Sequence, residues 1–246
     1  MDPESSGEFF ALLSRRLSAE PEETTTLQTV AEKAVEVVPA CDYCAVSSRR
    51  RRSHVETVAS TSDVANQSDA LQYALDEGPC LDAISEQESF LVEDVLHEKR
   101  WPRWSAGAAK LGIGSILSVR LFTDEEVLGA LNLYAAKPHG YDQENIDIAL
   151  LFAVHAATAI SSARLVSGLQ TALQSRHMIG VAQGVLMERY GLSLDRSFEV
   201  LRRFSSHTNT KLRDVANQVV ADGVLPEVGG PQSNGSLPAA GLPTPT

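Results

Sequence analysis

The chain is organised around residues 169–220, LQTALQSRHMIGVAQGVLMERYGLSLDRSFEVLRRFSSHTNTKLRDVANQVV. Apolar residues recur there at three- and four-residue steps, which predicts amphipathic helices. Gly191 is placed to end the first helix, and Ser193 is a start signal for the second. Thr208 or Asn209 is placed to cap a third helix. The stretch therefore predicts a unit of three helices.

The same stretch differs in charge from the rest of the chain. It contains seven basic and four acidic residues, a net charge of +3, whereas the whole chain carries −11. The remainder therefore carries −14. A basic module on an acidic chain hints at a polyanionic partner. A solvated helix surface would give the same count, so charge alone leaves both interpretations open.

Three motifs in this stretch resemble the ANTAR domain. They are SRHMIGVAQGVLMERYG from Ser175, the S-x-x-x-x-F-x-x-L-R-x-x-S spacing from Ser193, and N-x-K-L-x-D-V-A-x-x-V from Asn209. The resemblance covers residues 175–220. It implies a three-helix RNA-binding output domain of a bacterial transcription antiterminator, which acts as a dimer and holds a two-hairpin RNA. Two positions depart from the pattern: Gln183 stands where many members have Lys, and Ser197 where many have Ala.

From the charge pattern and the resemblance together we predict an RNA-binding surface. Its three basic side chains would meet phosphates, and its amides and hydroxyls would bond to unpaired base edges. The tyrosine would stack on a base. A helix-surface or capping role is the alternative for each, most strongly for Asn209 as an N-cap. The predicted residues are Arg176, Gln183, Tyr190, Arg202, Ser205, Asn209 and Lys211.

Size and composition set the frame for the remaining sequence. A chain of 246 residues with 43% hydrophobic residues favours two folded domains. No apolar run approaches the length of about 18 to 20 residues that spans a bilayer, and no signal peptide is seen, so a cytoplasmic location is expected. The three cysteines do not suggest a disulfide framework. Cys41 and Cys44 form a lone C-x-x-C without the further ligands that a structural zinc site needs.

The N-terminal two thirds mixes helix and strand patterns. Amphipathic helices are predicted over residues 9–17 and 24–38, followed by two antiparallel strands joined by the arginine run 49–52. Further β-rich runs, GSILSVRLF and VLGALNLYAA, flank a polar turn. Gly129 in the second run allows close backbone approach or a bulge. The arginine run is interpreted as a solvated turn.

A second set of motifs resembles the GAF domain found upstream of ANTAR modules. It comprises LQYALDEGPCLDA, D-V-L-x-x-x-R-W-P, GIGSILSVRL and LGALNLYA. The resemblance implies an α+β fold, an antiparallel sheet of five or six strands flanked by helices. GAF domains bind cyclic nucleotides, haem or bilins, or nothing known. No residue here singles out a ligand, so the cofactor is unknown.

A candidate ligand pocket follows from the clustered aromatic residues. The two tryptophans flank Pro102 and would either floor a pocket or anchor a loop to the core. Cys80 would bind a chromophore or sense oxidation, or would be a small buried hydrophobe. The predicted pocket residues are Cys80, Phe90, Trp101, Trp104, Ile116, Leu131 and Tyr134.

Small apolar residues at heptad-type steps predict a long helix that joins the two domains. This seam would pair two chains as a parallel coiled coil. The alternative is a helix buried against its own domain's sheet. The predicted seam residues are Ile146, Ala149, Ala153, Ala156, Ile160, Ala163, Leu169 and Leu173.

The predicted organisation is a GAF-like sensor over residues 1–165, an ANTAR domain over 166–222 and a disordered tail over 223–246 rich in Gly, Pro and Ser. No motif of catalysis is present, so a non-enzyme is expected. The favoured function is RNA-binding antitermination by a homodimer that responds to a ligand or redox signal. The alternatives are a sensor acting through protein contacts and a duplex DNA-binding regulator.

Overall fold

The computed structural model describes residues 12, 14–17, 22–49 and 54–225 of the chain. Its contacts divide the chain into two compact units, Met1–Ser167 and Gly168–Thr246. Of the first predicted helix, residues 14–17 are helical, whereas Phe9, Phe10 and Leu13 lie outside the described residues. The arginines at 50–52 and nearly all of the predicted disordered tail lie outside them as well.

The N-terminal unit is built on a five-stranded antiparallel sheet, which confirms the predicted α+β class. The strand order is β2-β1-β5-β4-β3. The strands are β1 (Tyr43–Arg49), β2 (Val55–Ser60), β3 (Ser89–Val92), β4 (Ser115–Phe122) and β5 (Val127–Ala135). The helices are α1 (Glu23–Val37), α2 (Asp63–Leu75), α3 (Pro79–Ser85), α4 (Pro102–Lys110) and the first part of α5 (Gln143–Tyr190), with a short 3₁₀ turn at Val95–His97.

Helices cover both faces of this sheet, because alternate residues of each strand point to opposite sides. On β5, Leu131 and Leu133 face the core formed with α1 and α5. Tyr134 faces the second core, which contains residues of α2 and α4 such as Ala65 and Trp104. The sheet is therefore the middle of three layers.

The C-terminal unit contains the end of α5, α6 (Leu194–Thr208) and α7 (Leu212–Asp222). Its core is a single apolar cluster of Ala182, Leu186, Leu201, Val215, Ala216 and Val219. Gly191 follows α5 with φ +61°, the left-handed conformation expected after a helix. Ser193 caps α6 by accepting a hydrogen bond from the backbone N–H of Arg196.

The predicted cap of the third helix is wrong. Asn209 adopts φ 52° and closes the C-terminus of α6, and Lys211 is the residue that precedes α7. Asn tolerates the left-handed conformation better than most residues, so the same short side chain suits either end of a helix. The pattern of the sequence did not distinguish the two ends.

Gly129 lies where β5 comes closest to β1. A Cβ atom at this position would lie 1.8 Å from the carbonyl oxygen of Ser47, a backbone atom that can move only if the two strands separate. We expect Gly129→Ala to lower the free energy of unfolding of the N-terminal unit by about 3 kcal/mol. Chemical denaturation followed by tryptophan fluorescence measures this unit, since the chain's only tryptophans, Trp101 and Trp104, both lie in it.

Gly168→Ala is the matched control, because a Cβ atom there meets nothing within 4 Å and the residue lies inside a helix. Because Gly168 begins the C-terminal unit, we expect this variant to leave the free energy of unfolding of the N-terminal unit, measured by tryptophan fluorescence, unchanged. Equal stability of the Gly129→Ala variant and the parent would show that β1 can move away from β5 at little cost.

Candidate nucleic-acid interface and sensor core

Positive charge on the C-terminal unit is exposed and largely uncompensated. Six basic side chains are exposed there and form no ion pair with another described residue: Arg176, Arg189, Arg196, Arg202, Arg203 and Lys211. The seventh, Arg213, lies 3.5 Å from the carboxylate of Asp214. Arg196 and Arg203 are seven residues apart on α6 and so share one face of that helix. The unit therefore presents several free cations to solvent.

Two of the predicted RNA-binding side chains have partners within the unit. The Gln183 amide donates a 3.0 Å hydrogen bond to the carbonyl of Leu194 at the start of α6. The Ser205 hydroxyl donates a 2.6 Å bond to the carbonyl of Thr210 in the turn before α7. Both side chains therefore hold helix ends together.

The other predicted contacts divide by exposure. Arg176, Arg202, Asn209 and Lys211 are exposed, whereas Tyr190 is half-buried and packs against the apolar core of the unit. The Asn209 side chain is exposed, but its backbone conformation closes α6, so Asn209→Ala would strain the backbone as well as remove the amide. Ser197, which replaces an expected alanine, is fully buried and donates to the carbonyl of Leu194 at 2.7 Å.

In the N-terminal unit, most of the predicted pocket residues pack against each other as a core. Phe90 contacts Trp101 edge-on, with ring centroids 5.5 Å apart, and Trp101 meets Trp104 in the same way at 6.5 Å. Both indoles are hydrogen-bonded, Trp101 to Asp82 at 2.8 Å and Trp104 to Ser68 at 3.3 Å. The tryptophans therefore fasten α4 to its neighbours, the alternative that the sequence left open.

Leu131 is the exception among the predicted pocket residues. It lies in the cluster formed with α1 and α5, on the opposite face of the sheet from Ile116 and Tyr134. Neighbouring residues on a strand point to opposite faces, so Leu131 cannot share a volume with Tyr134, three positions along β5. The prediction was wrong for this residue because an odd spacing was assigned to one face.

A fully buried carboxyl group, that of Asp69 on α2, is the centre of a polar network that the sequence analysis missed. It accepts hydrogen bonds from Thr57 on β2 at 2.7 Å and from Ser47 on β1 at 3.2 Å. On β5, the Asn132 amide donates to it at 2.9 Å and the Tyr134 hydroxyl donates to it as well. Polar residues at inward-facing strand positions, such as Ser47 and Asn132, were the available signal.

This network determines the protonation chemistry of the core. Burial raises the pKa of Asp69 above its ordinary value of 3.8, and the hydrogen bonds from Tyr134, Thr57, Ser47 and Asn132 act in the opposite direction. The oxygen of the Asn132 side chain is buried and accepts no hydrogen bond within the part of the chain that the structure describes. Ser118 on β4 lies opposite Asn132. Its hydroxyl is also buried and forms no hydrogen bond with the described residues.

Family models match both units. The GAF domain model matches residues 20–161, more than half of the chain. The chain belongs to the GAF domain family. The ANTAR domain model matches residues 167–220, the unit that contains the end of α5, α6 and α7. A GAF sensor followed by an ANTAR domain makes this chain a signal-responsive regulator.

Solved structures share the fold at low sequence identity. The GAF domain of an Acinetobacter phosphoenolpyruvate-protein phosphotransferase is 13% identical, with a TM-score of 0.52 over 68% of this chain and 98% of that one. The corresponding domain from Coxiella burnetii is 18% identical, with a TM-score of 0.51 over 65% and 95%. The bacteriophytochrome RpBphP3 from R. palustris is 12% identical, with a TM-score of 0.56 over 84% of this chain and 47% of that one. A comparison with curated proteins finds no match.

The cysteines of the GAF domain are buried in its core. Cys80 is fully buried and donates to the Ser47 hydroxyl at 3.3 Å, and burial beside Asp69 raises the pKa of its thiol to about 12. Burial also raises the pKa of Cys41 to about 12 and that of Cys44 well above its usual range. A thiol held protonated is a poor nucleophile, so these groups behave as small hydrophobes. Among the described residues, no group of three His, Cys, Asp or Glu side chains is placed to hold a metal.

The GAF part of α5 contradicts the predicted seam. Ala149, Ala153, Ala156, Ile160 and Ala163 are buried in the domain's own core, and Ile146 is half-buried against it. The alternative of a helix packed on its own sheet is therefore the one that the structure shows. Two seam residues, Leu169 and Leu173, remain exposed by 58% and 67%.

Helix α5 is long and apolar enough to be considered as a membrane span. An 18-residue window within this 48-residue helix has a mean hydropathy of 1.7, high enough for a membrane span by composition, which the sequence analysis had not recognised. However, one such helix is weak evidence for a membrane span, and 44% of that window is buried inside the protein. GAF and ANTAR domains are both typical of soluble regulators.

Asp69→Asn tests the network around the buried carboxyl group. The amide keeps the shape but supplies one acceptor oxygen instead of two, so several hydroxyl donors lose their partner. We expect the free energy of unfolding of the GAF domain to fall by about 2 kcal/mol near neutral pH, measured by denaturation with tryptophan fluorescence.

The difference in stability between the parent and the Asp69→Asn variant should change with pH in one direction. The folded state holds the Asp69 proton more tightly than the unfolded chain, so the contribution of this group is complete below about pH 3.8 and is lost as the pH rises through the folded-state pKa. The stability of the parent relative to the Asn variant should therefore decline as the pH rises from 4. A difference that instead grows with pH would show that the hydrogen bonds outweigh burial.

Proposed function

We propose that this chain is a transcription antitermination regulator whose ANTAR domain binds a two-hairpin RNA. The observation that carries the proposal is a set of six exposed cations, without ion-pair partners among the described residues, on a domain that matches the ANTAR model. Such cations release the counterions condensed on a polyanion, which supplies binding free energy without base specificity. Lys211 is well placed for phosphate, since it precedes the first turn of α7 and that turn has no side-chain cap.

The departure at Gln183 does not favour loss of RNA binding. The amide donates to the Leu194 carbonyl, a hydrogen bond that the ammonium group of a lysine could also make. This position therefore has a structural task in the junction between α5 and α6. Gln183 in place of Lys therefore gives no support to the alternative of a sensor that acts through protein contacts.

The GAF domain is proposed to respond to a non-covalent signal, with the cytoplasm as its location. All three thiols are buried and held protonated, which disfavours oxidation or covalent chromophore attachment as the primary signal. We propose a non-catalytic role, since the hydroxyl groups next to the Asp69 carboxyl group, those of Ser47 and Thr57, are held in a network around a fully buried side chain. The ligand class stays open.

We propose that the active species is a homodimer paired along an exposed face of α5 that keeps only Leu169 and Leu173 of the seam first predicted. The exposed face follows steps of three, four and four residues. Its one charge, Arg176, has a long side chain whose guanidinium group can reach solvent at the edge of the pair and stay open to RNA. An eleven-residue repeat averages 3.67 residues per turn, close to the α-helical value, so two such faces can stay in contact along a nearly straight pair. The positions are Leu151, Val154, Thr158, Ser162, Leu165, Leu169, Leu173, Arg176, Gly180, Gly184 and Met187, all exposed.

This face fits a second copy of the chain because a parallel pair sets each position against itself. Leu165 is 65% exposed and Leu173 is 67% exposed. Large apolar side chains that are this exposed along one face are typical of a surface that a partner covers. Gly180 and Gly184 carry no side chain, and a Cβ atom at either would meet nothing within 4 Å. Backbones can therefore approach closely at that end of the face.

The RNA proposal is tested by binding of a labelled two-hairpin RNA against duplex DNA of equal charge at two salt concentrations. We expect the full chain to prefer the RNA, and Lys211→Ala to weaken binding and to reduce the slope of log K against log salt by about 0.7 to 1. Lys110→Ala, the same change at an exposed lysine of the GAF domain, is the control and should bind like the parent.

Two results would contradict this proposal. Equal binding of RNA and duplex DNA would favour a DNA-binding regulator, and no binding of either at low salt would favour a sensor that acts through proteins. Helicity measured by circular dichroism must match between the variants and the parent, so that a binding loss is not an unfolding effect.

The dimer is tested by Leu169→Glu, which sets two like charges against each other in the paired face. We expect sedimentation velocity to show a dimer for the parent and a monomer for the variant at micromolar concentration. Leu96→Glu is the control, since Leu96 is 77% exposed and belongs to the short turn at Val95–His97 and not to α5. A dimeric Leu169→Glu variant would exclude this face as the interface.

A further inference from the structure

The ANTAR domain carries a polar cleft that the RNA-binding surface described above does not include. Its volume is about 370 Å³, and it lies between the C-terminal half of α5 and the beginning of α7. Its lining includes Gln174, Ser175 and Met178 from α5 and Arg213, Asp214 and Asn217 from α7. Small-molecule sites begin at about 300 Å³, so the space suffices for one nucleobase.

The hydrogen-bonding groups of the cleft are available for a ligand. The amides of Gln174 and Asn217 are exposed and have no partner among the described residues. The hydroxyl of Ser175 donates to the carbonyl of Thr171 at 2.7 Å, which leaves its lone pairs free. Met178 is half-buried and supplies an apolar wall.

The charge of the cleft disfavours phosphate as its ligand. Arg213 and Asp214 form an ion pair of 3.5 Å, and both side chains are about half exposed. The carboxylate of Asp214 would repel a phosphate group, whereas the pair is electrically neutral toward an uncharged ring. The cleft therefore suits a neutral group with several hydrogen-bonding atoms.

Purine bases have the edge that these side chains match. The amide of Asn or Gln bonds in bidentate fashion to N6 and N7 of adenine, and Arg bonds to O6 and N7 of guanine. In RNA such edges are open chiefly in single-stranded loops, where a base can turn out of the stack. We propose that this cleft binds a purine base from an RNA loop, with Gln174, Asn217 and Arg213 bonding to its edge. This inference rests on the proposed RNA binding.

The cleft and the phosphate contacts are different parts of the domain. Neither Lys211 nor Arg176 lines the cleft. Phosphate contacts fix position and respond to salt, whereas base contacts discriminate sequence. The two roles can therefore be measured separately in the same full-length chain.

The experiment uses labelled RNA hairpins that share one stem and carry a loop of only adenosine, guanosine, uridine or cytidine. We expect the parent to prefer the purine loops. Asn217→Ala and Gln174→Ala should each weaken binding of the preferred loop about tenfold, with an unchanged salt slope and unchanged binding of the pyrimidine loops. Gln218→Ala and Gln170→Ala, exposed amides outside the lining, are the matched controls and should bind all four loops like the parent.

The outcomes separate this inference from the function on which it rests. If the parent binds RNA through Lys211 but does not discriminate the loops, or if the two cleft variants keep the purine preference, the cleft is not the base site and the proposed function stands. If the parent has no preference for RNA over duplex DNA, the proposed function fails and this inference fails with it.

Discussion

The carboxyl group of Asp69 is the interaction on which the structure of the GAF domain depends. It is fully buried and takes hydrogen bonds from β1, β2 and β5, so one side chain of α2 ties three strands together. An uncompensated carboxyl group at that depth would cost several kcal/mol, which makes the donors around it obligatory. Cys80 extends the network, because its backbone N–H donates to Gln72 and its thiol to Ser47. The face of the sheet covered by α2 and α4 thus holds a buried polar network next to an aromatic cluster.

This closed network constrains how the domain senses a signal. A ligand that enters this side of the sheet must replace hydrogen bonds that the protein already makes, so its own polar groups have to satisfy the same donors. Asn132 and Ser118 each have a buried side-chain oxygen atom without a partner among the described residues. A ligand group that donates a hydrogen bond to either oxygen would therefore satisfy a buried acceptor.

Much of this could be predicted from the sequence, and the failures have physical causes. Strand alternation and the motifs gave the sheet and the two domains. Ala149, Ala153 and Ala156 were assigned to a dimer seam because a three-four spacing marks the buried face of a helix without showing whether a sheet or a second helix covers it. The Asp69 network was missed because contacts between α2 and β5 join residues more than 60 positions apart, such as Asp69 and Asn132. Asn209 was placed at the wrong helix end because a short polar side chain suits both.

The charge of the chain explains why RNA binding would be confined to one domain. Residues 169–220 carry +3 and the remainder carries −14, so the acidic part repels the phosphate backbone while the ANTAR cations attract it. A net charge of +3 is too small to hold a nucleic acid tightly, since each phosphate contact contributes little at physiological salt. A homodimer doubles the number of cations that one RNA can meet, which is a reason for two hairpins to engage two copies of the domain. Affinity would then depend on pairing along α5, and pairing is the step at which a change in the GAF domain could act on RNA.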